Sequence, residues 1–599
     1  MRPGSGTAEA AMKLSKVIQS LLLSLLALSG IGYAMPPDPT ILNEADESMM
    51  EEATTNEKRA ALSTVSVPLT LGEWEALAIL IEFPNESMIK TNKDFQELLF
   101  GSISTGSVRE YYEEASYGKF HLTGETVGIY GAGNSASYYA NDKYGFGGYP
   151  KNAARLIEEA VDATIASGVD CSRYDNNGDG EVDAIFIVHA GQGAEQSGKS
   201  SHLWSHRGRI SSSGGKVRNC GGVRVDSYII GPELSGSSSI ATIGVLAHEF
   251  GHILGLPDLY DLDQTSLGVG RWDIMSYGAW NNGGKTPAHF SAWSKAKLGW
   301  FEPTLITEDR LGESIAPLYA EPAVYKIWAN GVPSDEYFLI ENRQKVGFDT
   351  YLPGSGLIAL HVDEAQSNNN NECISLGCDQ RFLVSLVQAD GRYDLELKKN
   401  YGDASDPFTN GGVPLVAYNG VRSPVEIANI SMGTEMIVAD LRMSTAPLIL
   451  SVPPSEAAPN QTYEYTPTTV SSGSSVSWNL AKGPSGMSVN EATGGVSWAP
   501  DDSQMGDHLI QLEGTSAEGE STTQEWLLTV TYGGMAPTTN DDSAGGCSTA
   551  GVSLTAGSHP SNSALLSWIM IFLPGFAILI LRRLRLLRAY VKAALRVKR

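Results

Sequence analysis

His248-Glu249-Phe250-Gly251-His252-Ile253-Leu254-Gly255-Leu256-Pro257-Asp258-Leu259-Tyr260-Asp261 is the stretch on which the reading of the whole chain turns. Residues four apart lie on one face of an α-helix. His248 and His252 can therefore present both imidazoles to one metal ion, with Glu249 beside a metal-bound water. A zinc ion in that position lowers the pKa of the water, and the glutamate takes its proton. Gly255 can adopt the left-handed conformation that ends a helix and turns the chain sharply. Such a turn returns Asp258 to the metal as a third ligand. Two histidines and one aspartate leave the fourth position open for water, which a catalytic zinc site requires. The competing reading is a buried helix with incidental polar residues. It would bury two histidines and a glutamate with no evident partners, which is costly.

Outward from this stretch, 599 residues imply several domains. The composition is globular, and 64 glycines suggest many turns and much β-structure. With 42 basic and 68 acidic residues the net charge is −26, which argues against nucleic acid as a partner. Residues 1–34 read as a signal peptide: a basic Met12–Lys16, an apolar Val17–Ile31 and small residues at Gly32-Tyr33-Ala34, with cleavage expected after Ala34. The apolar run is short for a retained anchor. Of five cysteines, Cys373 and Cys378 are spaced for a small loop and Cys171 and Cys220 for a longer bridge, leaving Cys547 over.

Residues 35–70 are polar and acidic and read as a short propeptide or leader. From 71 to 318 strand and helix patterns alternate. Ala76–Phe83 and Ala184–Val188 are buried-strand signals. Asp94–Phe100, Ser107–Phe120, Lys151–Ser167 and Ser239–Leu254 are helical, the second with Ser107 as N-cap. This pattern predicts an α/β (α+β) catalytic domain. DNNGDGEVD (Asp175–Asp183) sets oxygen side chains at Asp175, Asn177, Asp179 and Asp183 around Gly180, like the first part of a calcium loop. Position twelve of an EF-hand falls on Phe186, so the loop is partial. An Asx-rich turn before a strand is the alternative.

Several segments together carry a resemblance: FGSISTGSVREYYEEASYGKF, DNNGDGEVDAIFIVHAGQGAEQSG, LWSHR, HEFGHILGLPDLYD, WDIMSYGAW, FSAWSKAKLGW, EYFLIENRQ and LPGSGLIALHVDE. From about Trp74 to about Leu441 the chain resembles the immune inhibitor A-like secreted metallopeptidases, of metzincin type. The resemblance implies zinc, peptide-bond hydrolysis, and calcium in some members. It makes His248, His252 and Asp258 the ligands and Glu249 the acid/base. It further implies a methionine floor under the metal at Met275 and, at Tyr277, a hydroxyl that hydrogen-bonds the oxyanion. His189 and His206 can line the cleft, but read more readily as satisfied structural histidines.

Residues 319–445 turn to short strands and predict a β-rich accessory region, with Asp390, Asp403 and Asp406 near its loops. Residues 446–532 carry alternating short strands at regular spacing, an Ig-like β-sandwich. Within them Gly483–Pro500 resembles Ig-like, cadherin-like domains of bacterial surface proteins. Residues 533–563 read as a linker and 564–581 as an apolar run long enough for a transmembrane helix. The basic tail 582–599 is placed in the cytoplasm by the positive-inside rule. Gly545-Gly546-Cys547, the helix and the tail resemble a bacterial GlyGly C-terminal sorting signal; a plain retained anchor is the alternative. The sum is a multidomain bacterial protein, exported, then surface-anchored or released, that acts as a zinc endopeptidase on protein or peptide substrates. The alternatives are a surface adhesion protein with a zinc-peptidase-like fold and little turnover, and a zinc hydrolase acting on a non-peptide amide.

Overall fold

The apolar run around Ala76 becomes strand β1 (Gly72–Glu82), with residues 76–81 almost wholly buried on both faces. It sits inside a sheet with β2 (Phe120–Gly131), β3 (Ile185–Gln192), β4 (His206–Arg209) and β5 (Ser227–Ser235). The order is β2-β1-β3-β5-β4, with β4 the antiparallel edge strand and the others parallel. The computed structural model describes residues 35–39 and 69–532, except 184, 371–380, 414, 419–421, 445, 450, 452, 471–474 and 518. The expected signal peptide, most of the leader, Cys373, Cys378, and all of the linker, apolar run and tail with Gly545, Gly546 and Cys547 fall outside the described residues. Among the described residues no helix is long and apolar enough to cross a membrane.

Side chains alternate across a strand, so β1 feeds two cores. Leu77, Ile79 and Ile81 pack with Leu156, Ile157, Ala160 and Val161 of one helix (Ala153–Ala166). Trp74, Ala76, Ala78 and Leu80 share the opposite core with helices Asn92–Phe100, Val108–Ala115 and Ile243–Ile253. We call these helices, in chain order, α1 (Asn92–Phe100), α2 (Val108–Ala115), α3 (Ala153–Ala166) and α4 (Ile243–Ile253). Thr91 and Ser107 close capping boxes at α1 and α2, which satisfies the first free backbone N–H groups of each. Helix α4 is shorter than the apolar pattern predicts. Ser239–Ile240 instead pairs antiparallel with the end of β5, and the helix starts only after Thr242.

Beyond α5 (Ala292–Lys297) the chain forms an antiparallel sheet of β6 (Tyr325–Trp328), β7 (Glu336–Arg343), β8 (Gly356–Asp363) and β9 (Val384–Val387). Thr304–Leu305 adds a parallel edge. One face, through Ile327, Phe338, Ile340 and Ala359, covers a three-stranded sheet of Arg310–Ile315, Val425–Met432 and Ile437–Met443. The other face, through Leu339, Ile358, Leu360 and Val362, joins the same core as α4 and Met275. Residues from Ser455 onward build two small sheets around Trp478, Trp498, Ile510, Leu512 and Leu528, a core of their own.

Candidate metal centre

Helix α4 is buried all round, and its polar residues His248, Glu249 and His252 are buried with it. His248 donates from Nδ1 to the Ile274 carbonyl at 2.7 Å, and His252 from Nδ1 to the Leu256 carbonyl at 2.9 Å. A carbonyl can only accept, so each Nδ1 carries a proton, and in the neutral imidazole each Nε2 presents its lone pair. Those two Nε2 atoms are 3.2 Å apart.

The helix ends where Gly255 takes φ +98°, a conformation that is strained for any residue with a Cβ. The turn brings the Asp258 carboxylate back to 3.2 Å from His248 Nε2 and 3.3 Å from His252 Nε2. Neither Asp258 oxygen has a conventional hydrogen-bond donor among the described residues. Burial alone would raise the Asp258 carboxyl, but the imidazoles beside it outweigh that and hold it below its usual range. Burial drives His252 towards its neutral form. Three potential ligand atoms thus converge in a dry place, an arrangement that is costly without a cation. A tetrahedral zinc with bonds of about 2.0–2.1 Å separates its ligands by about 3.3–3.4 Å, so the residues present fit the ion.

The cage has a floor and a brace. Met275 is fully buried against Gly251, where an added Cβ would come within 2.6 Å of the Met275 sulfur. The Met275 carbonyl accepts from Leu259 N–H at 2.7 Å, one residue past Asp258. Its N–H donates to Asp273 Oδ1 at 2.7 Å. Tyr277 opens a 3-10 turn, Tyr277–Gly284, and is buried. Its ring lies 6.0 Å from Tyr260 and 4.7 Å from Tyr401, and Tyr260 lies 6.5 Å from His248. Its hydroxyl makes no hydrogen bond among the described residues. Burial raises its pKa well above the usual phenol value, so it stays a donor.

Residues 75–301, which hold His248, Glu249, His252, Asp258, Met275 and Tyr277, match the model of the immune inhibitor A peptidase M6 catalytic domain. The chain carries a peptidase M6 domain. Residues 446–532 match the He_PIG Ig domain model. The chain is 33% identical over 407 residues to pre-pro-metalloprotease PrtV of Vibrio cholerae serotype O1 (strain M66-2), covering 57% of this chain and 44% of that protein. It is 34% identical over 243 residues to immune inhibitor A of Bacillus thuringiensis subsp. alesti, covering 34% of each chain. The chain therefore spans about half the length, or less, of these relatives. Among solved structures, wild-type OgpA from Akkermansia muciniphila aligns over 78% of this chain and 96% of its own at 10% identity. The TM-score of 0.22 carries no weight for the fold.

The other predicted residues lie away from this M6 cage. In the Asp175–Asp183 loop the oxygens serve the chain's own backbone. Asp175 accepts from Asp179 N–H at 3.0 Å and Gly180 N–H at 2.9 Å; Asn177 accepts from Asp179 N–H at 2.9 Å; Asp183 accepts from Asn176 N–H at 2.6 Å. That is the pattern of an Asx-rich turn. Burial and the nearby Asp179 and Asp175 raise the Asp183 carboxyl. Cys171 and Cys220 are joined in a disulfide, with Cα atoms 5.4 Å apart. Among the loops of residues 388–406, Asp390, Asp394 and Asp403 converge, not Asp406, which accepts instead from Trp272 Nε1 at 3.2 Å.

His189 and His206 are both buried on structural partners. His189 Nδ1 bonds the Ala190 carbonyl at 2.8 Å; His206 bonds the Trp204 carbonyl at 2.8 Å and the Tyr228 hydroxyl at 3.1 Å. His206 also lines a cavity of about 330 Å³ with Phe146, Tyr149 and Asn152. Two features escaped the sequence reading. Met35, expected in a flexible leader, is fully buried: its carbonyl accepts from Trp204 Nε1, and that of Pro36 from Trp280 Nε1, each at 2.8 Å. Arg343 is fully buried beside the M6 domain. The signal for it was there: a charge ending the apolar strand EYFLIENR must find a partner.

Proposed function

We propose that the chain is an exported zinc-dependent endopeptidase. The observation that carries this is the near-equilateral triangle of His248 Nε2, His252 Nε2 and Asp258 Oδ1, with edges of 3.2–3.3 Å, beside a buried Glu249. A zinc ion bound there supplies Lewis acidity and lowers the pKa of water. The remaining roles belong to the chain. Glu249 takes a proton from the attacking water and passes it to the leaving amine. The Tyr277 hydroxyl donates a hydrogen bond to the oxyanion that develops on the scissile carbonyl. Met275 supports the cage from below, and Gly255 lets Asp258 reach it.

The peptidase unit is assigned to residues 71–318, the β-rich region to 319–445 and the Ig-like domain to 446–532, the last as spacer or substrate-binding module. Export rests on the signal-like residues 1–34, and surface retention or release on the GlyGly-type tail around Gly545, Gly546 and Cys547. A calcium role for the Asp175–Asp183 loop has its sequence pattern alone in support, beside the Asx-rich turn that its hydrogen bonds form.

The test is casein hydrolysis by the full chain with and without a chelator, alongside Glu249→Ala. Hydrolysis should be chelator-sensitive. Glu249→Ala should keep its zinc and lose about 10²–10⁴-fold in rate, the usual worth of a general acid–base group. Unchanged proteolysis in that variant would overturn the assignment, and zinc binding with no hydrolysis in the parent would favour an adhesion protein.

A further inference from the structure

The matched M6 domain ends at residue 301, yet the loop beneath the metal centre is gripped from beyond it. Arg343, the last residue of β7, is fully buried. Its Nη1 donates to the Trp272 carbonyl at 2.9 Å and to Glu341 at 3.1 Å. Its Nε and Nη2 form a two-pronged pair with Asp349 at 2.9 and 2.8 Å. The two carboxylates are not idle. Glu341 accepts from Ala292 N–H at 2.5 Å, and Asp349 from His289 N–H at 2.9 Å. They therefore fix the segment 289–294. That segment holds Asp273, through Ser291 N–H at 2.8 Å and Ser294 Oγ at 2.7 Å. Asp273 in turn holds the Met275 N–H.

Both routes from Arg343, direct and through Asp273, end on the four residues Trp272–Met275. The same four residues orient the cage. The Ile274 carbonyl takes the His248 Nδ1 proton, and the Met275 carbonyl takes the Leu259 N–H beside Asp258. Backbone partners of this kind set the tautomer and direction of a metal-ligating histidine. Neighbouring contacts repeat the theme from the same side of the sequence. Asp406 accepts from Trp272 Nε1, the Tyr401 carbonyl from Arg271 N–H at 2.9 Å, and the Leu395 carbonyl from Leu267 N–H at 3.0 Å.

We infer that Arg343 is a positioning residue of the metal centre, acting through the Trp272–Met275 carbonyls on His248 and Asp258, so that the functional peptidase unit includes the β-rich region. The inference rests on the metal-centre reading above. Lysine cannot replace the guanidinium fork: it keeps the charge but offers no paired N–H groups to Asp349 while reaching Trp272.

The experiment uses the full chain and measures two things besides activity: the rate of zinc release to a chelator, and the visible spectrum of the cobalt(II)-substituted protein. Arg343→Gln and Ser294→Ala should each release zinc at least about tenfold faster and shift the cobalt bands, as loss of an outer partner does. Arg343→Lys should fall between them and the parent. Tyr325→Phe, which removes a contact from the β-rich region to Glu313, should behave as the parent. Where Arg343→Gln does not fold, Ser294→Ala and Arg343→Lys decide, because each removes only part of the network. His248→Ala separates the two readings. If it binds zinc like the parent, the metal centre itself is misassigned. If it loses zinc while the Arg343 and Ser294 variants keep parental release rates and spectra, this inference alone is overturned.

Discussion

At the scale of single residues, burial and lone-pair direction decide the chemistry. His248 and His252 are usable as ligands because their Nδ1 protons are taken by main-chain carbonyls. Met275 matters through its shape. Met275→Leu keeps the volume and should cost less than about 1.5 kcal/mol, whereas Met275→Ala should cost about 2–5 kcal/mol and loosen the cage; chemical unfolding of the zinc-free protein reads both. His189 and His206 make a pH prediction. Burial lowers each to about 4, against an ordinary value near 6.5. Below 6.5 the unfolded chain binds protons that the folded chain refuses. Stability is therefore full above pH 6.5 and falls as the pH drops towards 4, by up to about 3 kcal/mol for each histidine. In urea unfolding of zinc-free protein, His206→Asn should be less stable than the parent at pH 7, yet lose less on going to pH 4.5. Parallel losses in variant and parent would refute this.

At the scale of elements, turns and staples place the groups that helices and strands supply. Helix α4 was legible because a buried helix that carries two histidines four apart announces itself by spacing. Its start was not legible, because pairing of Ser239–Ile240 with β5 is a tertiary event that propensity does not encode. The turn after α4 depends on Gly255 at φ +98°. Gly255→Ala should cost about 1–2 kcal/mol through backbone strain, and weaken zinc binding more than it weakens folding, since Asp258 is displaced. Equal loss in both would argue against the turn's role. The Cys171–Cys220 disulfide closes a span of 49 residues that joins the end of the loop after α3 to the short hairpin before β5. Replacing both cysteines by serine should lower stability by about 2–4 kcal/mol and leave zinc content unchanged.

At the scale of the whole molecule, the residues from about 455 close a hydrophobic core of their own. The Ig-like core of Trp478, Trp498 and Leu512 shares no cluster with the peptidase core, and hydrogen bonds from Ser444 Oγ and Ala446 N–H to Glu520, each 3.2 Å, cross the junction. A chain ending at residue 445 should therefore keep chelator-sensitive cleavage of a short peptide within about twofold. A chain ending at residue 318 should not, because it lacks β7 and Arg343. Comparable activity in both truncations would refute the joint unit. By itself the sequence pointed to His248, His252 and Asp258 as candidate ligands, to Glu249 as candidate base, to the buried strand β1 and to the Ig-like pattern, since each is written in residue type and short-range spacing. Only the tertiary structure decided what holds the Trp272–Met275 loop, that Asp406 accepts from Trp272 as well as from Asp403 N–H, and that Met35 is buried. Those depend on residues tens to hundreds of positions apart meeting in a dry core, where each buried charge or N–H must find a partner that local pattern does not name.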